Sequence, residues 1–156
     1  MAEIRFYHLT KSRLEEALTR LLRRVIDRQD RAVVMAGSTE RVEALNAHLW
    51  NFDPPSFLPH GSAKDGNAAD QPVYLTAQFE NPNGAKLLLL CDGAGAPPAS
   101  DLDAMGFTLV CTLFNGLDEE AVGTARAQWR DYKNAGQQLV YYQQDEDGGW
   151  VEKARQ

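Results

Sequence analysis

The chain has 156 residues, 16 Lys+Arg against 22 Asp+Glu and 44% hydrophobic content, which suffices for one core and leaves no room for a second full domain. Its net charge of -6 excludes a protein whose main affinity is for phosphate backbones, so any basic site must be local. No apolar run approaches the roughly 18 residues of a membrane span, and no signal-peptide stretch precedes the first strand pattern, which predicts a cytoplasmic protein without membrane contact.

Ile4 to Leu9 alternates apolar and polar residues and reads as a strand. Ser12-Arg13-Leu14-Glu15 then has the form of a capping box, and Leu14, Leu18, Leu21 and Val25 continue at helical spacing to about Arg28. Arg31 to Ala36 is a short apolar run suited to a strand buried on both faces. Gly37-Ser38 ends it, with Ser38 placed to cap the helix carrying Glu40, Val42, Leu45 and Leu49. Strand, helix, strand, helix predicts parallel pairing. From Trp50 to Pro72 periodicity gives way to a long loop with four prolines. Val73 to Phe79 and Lys86 to Cys91 read as strands joined by the turn Asn81-Pro82-Asn83-Gly84, and a Gly/Pro loop follows. Ser100 to Asp103 starts a short helical turn, and Phe107 to Phe114 is another buried strand. Asp118-Glu119-Glu120 opens a helix that runs to about Asn134 and closes on Ala135-Gly136. Gln138 to Gln143 adds a last strand, and the tail from about residue 145 is expected to be loose apart from Trp150.

Catalytic motifs fail one by one. Gly93-Ala94-Gly95 lacks a third glycine, runs into Pro97-Pro98 and does not follow the first strand. Asp92 ends an apolar strand as a magnesium-holding acid does, yet no Gly-Lys-Ser/Thr accompanies it, and a turn cap is the better reading. His8, His48 and His60 have no metal-ligand spacing, so no metal is expected, and Cys91 and Cys111 read as buried free thiols.

Two features exceed what packing requires. On the last helix Val122, Ala125, Trp129 and Tyr132 share one face, and Arg126, Arg130 and Lys133 form a basic stripe along its edge. Such an edge suits an acidic peptide ending in an apolar side chain, the guanidinium taking a carboxylate and the ring walling the anchor. A half-buried helix with a solvated cationic face explains the same spacing. The second feature is the loop Trp50 to Pro59, whose aromatics and prolines form either a satellite core or an exposed protein-binding patch. The arginines of the first helix, Arg13, Arg20, Arg24 and Arg28, are diluted by Glu15, Glu16 and Asp27 and read as a solvated face.

Three segments in order resemble one family over nearly the whole chain. They are Arg5-Phe6-Tyr7-His8-Leu9; Leu45 through Trp50 leading to Ser56-Phe57-Leu58-Pro59-His60; and Ala125-Arg126-x-x-Trp129-Arg130-x-Tyr132-Lys133-x-x-Gly136. The sequence resembles the chi subunit of bacterial DNA polymerase III, the clamp-loader accessory protein of the replicase. The resemblance implies a Rossmann-like fold without a nucleotide or other cofactor, no enzymatic activity, and binding of the acidic C-terminal tail of the single-stranded-DNA-binding protein. In many bacteria it also implies a small partner, the psi subunit. The family's tail-binding arginine falls on Arg126 and its aromatic, commonly Tyr, on Trp129, with Gly136 matching. Val122 stands where some members carry a basic residue, a loss for which Arg130 or Lys133 compensates. The partner surface falls on Trp50, Phe57 and Pro59.

The sequence therefore predicts one three-layer α/β/α domain with a mainly parallel sheet, acting as a replication adaptor that binds protein tails and not DNA. Its rivals are a nucleotide-dependent or hydrolytic enzyme with Asp92 as its acid, and an adaptor for a repair helicase using the Trp50/Phe57 loop.

Overall fold

The computed structural model describes residues 2–51, 61–62, 68–91 and 93–156. In chain order the elements are β1 (Glu3–Leu9), α1 (Leu14–Asp27), β2 (Ala32–Met35), α2 (Thr39–Asn51), β3 (Gly61–Ser62), a 3-10 turn at Ala68–Asp70, β4 (Val73–Thr76), β5 (Leu87–Leu90), α3 (Ala99–Ala104), β6 (Leu109–Asn115), α4 (Glu119–Asn134), β7 (Gln138–Gln144) and β8 (Trp150–Arg155). They build one eight-stranded sheet in the order β3-β4-β2-β5-β6-β1-β7-β8. Every pairing is parallel except that of β7 with β8.

The two-residue alternation of the strands sorts their side chains into two cores. Tyr7 and Leu9 of β1, Val34 of β2, Leu75 of β4, Leu89 of β5 and Leu113 of β6 pack under Leu18, Leu22 and Val25 of α1 and Val42, Leu45 and Leu49 of α2. Ile4 and Phe6, Val33, Leu88 and Leu90, and Val110 and Phe114 point the other way, against Leu102 of α3 and Ala125, Trp129 and Tyr132 of α4. The sheet is thus buried on both faces, which is why its central strands read as unbroken apolar runs; the three-layer expectation holds. Cys91 and Cys111 are both free and buried, and burial pushes the Cys111 thiol up to about 12, so it stays protonated and inert.

Three local expectations need correction. The Ser12 capping box does not form: α1 begins after Arg13 with no side-chain cap, because the Ser12 hydroxyl accepts from Gln144 Nε2 at 2.9 Å. The turn at Asn81–Gly84 is present, with Gly84 at φ +67°. β4 and β5 lie on either side of β2, both parallel to it, and the connection is held by Asn81, which bonds Ala85 and Met105, and by Asn83, which donates to Ala32 and Gln71. Within the long loop, α2 extends through Trp50 to Asn51, and β3 with the 3-10 turn supplies short ordered pieces.

The tail is the third correction, since it is a hairpin and not loose. Asp145 accepts from the N–H groups of Asp147 and Gly149, Gly148 turns the chain at φ +83°, and β8 returns antiparallel along β7. Trp150 pins it, its ring 5.0 Å edge-on from Tyr7, which itself stacks on Tyr142 at 5.2 Å.

Candidate functional site

The site of interest lies along α4, where it packs on Phe6 of β1 and Tyr141 of β7. Asp118 caps the helix, accepting from the N–H groups of Glu120 and Ala121. At its other end Gly136 takes φ +76°, and the N–H of Gln137 reaches back to Tyr132 O, the bond of a Schellman stop. Gly136 therefore ends the helix. It stands ten residues from Arg126, about 15 Å along the axis, so its part in any binding edge is to fix where α4 stops.

Between those caps the helix divides its faces as its spacing predicts. Ala125 and Tyr132 are buried, and the Tyr132 hydroxyl donates to Pro97 O at 2.6 Å. Val122 and Trp129 are half-buried against the same core, while Arg126, Arg130 and Lys133 are exposed. None of these three cations forms an ion pair among the described residues. The Trp129 indole is propped edge-on by Phe6 at 5.5 Å and by Tyr141 at 5.7 Å. The ring is thus held rigidly about one turn from the Arg126 guanidinium, which makes no ion pair among the described residues.

Two residues at this edge were missed by sequence reasoning. In the register of β1 with its neighbours Phe6 stands opposite Tyr141 and His8 opposite Phe114, on the face that α4 covers. His8 Nδ1 lies 2.7 Å from the Tyr141 hydroxyl, with the Phe114 ring 5.1 Å away. Burial first, and then the charge of Arg126, hold His8 below its ordinary value, so the imidazole is neutral at neutral pH. Burial pushes the Tyr141 hydroxyl up, against the pull of Arg126. The available signal was the in-phase alternation Ile4, Phe6, His8 on β1; that β7 would lie beside it is not written in either segment.

A second concavity, a cleft of about 720 Å³, opens on the far flank of α4. β1 and β6 are adjacent and parallel, yet α1 and α4, which follow them, cover opposite faces of the sheet, so a crevice forms at their C-terminal ends. Dinucleotide folds place a pyrophosphate there, on backbone N–H groups of the first loop. Here the consecutive N–H groups of Thr10, Lys11 and Ser12 all converge on Gln144 Oε1, at 3.2, 2.9 and 3.0 Å. The chain's own amide fills the anion seat. Among the described residues no cluster of His, Cys, Asp and Glu is arranged to hold a metal ion, and no helix is long and apolar enough to cross a membrane. Asp92, the acid of the enzymatic rival, lies outside the described residues, as do Phe57, Pro59 and His60; of Trp50 only the backbone, in the last turn of α2, is described.

A mainly parallel sheet covered by helices on both faces, with the N–H groups of its first loop satisfied by Gln144, is a three-layer α/β domain of Rossmann-like architecture. The comparisons give it a family: the model described as DNA polymerase III chi subunit, HolC, matches residues 1–140, and the chain belongs to that family. Over 90 residues the chain is 31% identical to the protein named "Probable DNA polymerase III subunit chi" of Rickettsia prowazekii (strain Madrid E). That alignment covers 58% of this chain and 54% of the relative, so the chain spans about half the length of the curated relative it matches.

Proposed function

We propose that this chi-family protein is a non-enzymatic, cytoplasmic adaptor of the polymerase III holoenzyme, which ties the clamp loader to single-stranded-DNA-binding protein by holding the latter's acidic C-terminal tail on the α4 edge. The observation that carries this reading is the pairing of Arg126, exposed and without an ion pair among the described residues, with Trp129, half-buried and braced by Phe6 and Tyr141. The guanidinium takes the terminal carboxylate in a charge-assisted pair, and the last side chain of the tail lies against the indole. Arg130 and Lys133, about one and two turns further on, meet the acidic residues that precede the terminus and stand in for the cation absent at Val122.

The magnitudes set the affinity. Burying one large apolar side chain is worth about 2–3 kcal/mol and the charge-assisted bonds about 1.5–3 more, before the cost of ordering a flexible tail is subtracted. A single tail then binds with a Kd on the order of micromolar, and several tails on one oligomeric partner bind more tightly through effective concentration. The test is titration of a labelled tail peptide into wild type and Arg126→Ala, and of a peptide lacking its last residue into wild type. Binding should weaken at least about tenfold in both cases. Equal binding in either arm removes Arg126 from the site.

The clamp-loader side, a psi subunit or its equivalent, is assigned to the loop of Trp50, Phe57 and Pro59, following the family pattern and the concentration of aromatics and prolines there. Phe57→Ala should abolish capture of that partner while changing stability by less than about 1 kcal/mol. A loss of several kcal/mol would make Phe57 a core residue and move the interface elsewhere.

A further inference from the structure

The hydrogen bond between His8 and Tyr141 has a property that depends on protonation. At 2.7 Å, a neutral imidazole permits two arrangements: the Tyr141 hydroxyl donates to Nδ1, or Nδ1–H donates to the hydroxyl oxygen. A protonated imidazole permits one. Both ring nitrogens then carry hydrogen, Nδ1–H must donate, and the hydroxyl's own hydrogen has to turn outward toward another acceptor.

The surroundings hold the pair in place. A β-carbon at Gly116 would overlap the His8 ring and crowd Leu9 O, so the β6–α4 loop closes directly over the imidazole. Phe114 of β6 packs on its side at 5.1 Å, and the Tyr141 ring of β7 stands edge-on at 5.9 Å. The titratable and charged groups brought to bear on His8 are few: β7 contributes Tyr141, α4 contributes Arg126, and Asp118 at the head of α4 has its carboxylate engaged by the N–H groups of its own helix. β6 presents only the Phe114 ring at this point. Arg126 acts on both members of the pair, lowering His8 and pulling against the rise of Tyr141.

We propose that the Tyr141 hydroxyl is a second carboxylate donor of the tail site, and that His8 is the positioning residue that releases this donor when it takes a proton from water. This rests on the tail-binding reading of the same helix edge. A carboxylate docked on Arg126 cancels the cation that disfavours imidazolium, so the complex holds a proton on His8 more readily than the free protein does. By linkage the affinity for the tail must then rise as pH falls through the range between the free and bound titrations. The tail's own carboxylates stay ionised across that range. Arg126 supplies constant attraction, and the His8–Tyr141 pair adds a hydrogen bond that depends on pH.

The test is titration of the labelled tail peptide, at fixed ionic strength, at about pH 8 and about pH 5.5, into wild type, His8→Gln and Tyr141→Phe. Wild type should bind about three- to tenfold more tightly at the lower pH, the gain allowed by a bound-state shift of half to one pH unit. His8→Gln and Tyr141→Phe should each lose the gain in affinity between pH 8 and pH 5.5. In NMR titrations the His8 imidazole should take its proton at higher pH with the peptide bound than without it. A pH gain of the same size in wild type and in either variant overturns the proposal and leaves the tail site standing. Failure of the peptide to bind wild type at both pH values overturns the tail site and this inference together.

Discussion

Two polar regions of the molecule meet opposite fates. In the β1–α1 loop, three backbone N–H groups form a seat that could take an anion, and Gln144 fills it with its own amide oxygen while donating to Ser12 Oγ and Gly148 O. Along α4, the edge formed with His8 and Tyr141 leaves Arg126, Arg130 and Lys133 exposed and without ion pairs among the described residues. The first region is satisfied internally and contributes to stability. The second is braced by aromatic rings, and its cations make no ion pair among the described residues, as the proposed tail site requires. The two polar clusters differ in whether their polar groups already have partners.

The sharpest way to break this contrast is Gln144→Ala. It strips the acceptor from three N–H groups in a partly buried loop and should cost about 2–3 kcal/mol. Thermal unfolding should show a melting temperature lower by roughly 5–10 °C, with tail affinity unchanged where the protein is folded. A loss of affinity equal to that of Arg126→Ala would show that the two regions are one. Trp150→Ala should cost about 1–2 kcal/mol, because it removes the edge contact on Tyr7 and frees β8, which hydrogen exchange in residues 150–155 would report. Unchanged exchange there would mean that the backbone pairing alone holds the hairpin. Arg126→Ala should have the smallest effect on stability, within about 0.5 kcal/mol, since the side chain is exposed and makes no ion pair among the described residues. Its effect belongs to binding, and raising the salt should weaken the wild-type complex in the same direction by screening the stripe.

The layers were legible in the sequence because strand and helix periods alternate cleanly, and because strands buried on both faces read as unbroken apolar runs. The order of the strands was not, since it depends on pairings between distant segments. That is why the Asn81–Gly84 turn did not disclose that β2 lies between the strands it joins, and why Ser12 looked like a cap: a glutamine 132 residues away claims its hydroxyl. The acidic tail looked loose because its composition resembles that of solvated chain, whereas Asp145 is building the turn and Trp150 has a packing partner. On α4, the shared edge of Arg126 and Trp129 could be read from spacing on a single helix, and their proposed role came from the family resemblance. His8 and Tyr141 could not, because their contact requires β7 to lie beside β1.

The most direct measurement is a map of amide chemical shifts in isotope-labelled protein on addition of the acidic tail peptide. The account predicts changes along residues 126–136 of α4 and its end and at 141–143 of β7, with Thr10, Lys11 and Ser12 silent behind Gln144. Changes centred on residues 10–12 and the cleft beneath Thr124 and Gln128, with α4 from Arg126 onward silent, would contradict it.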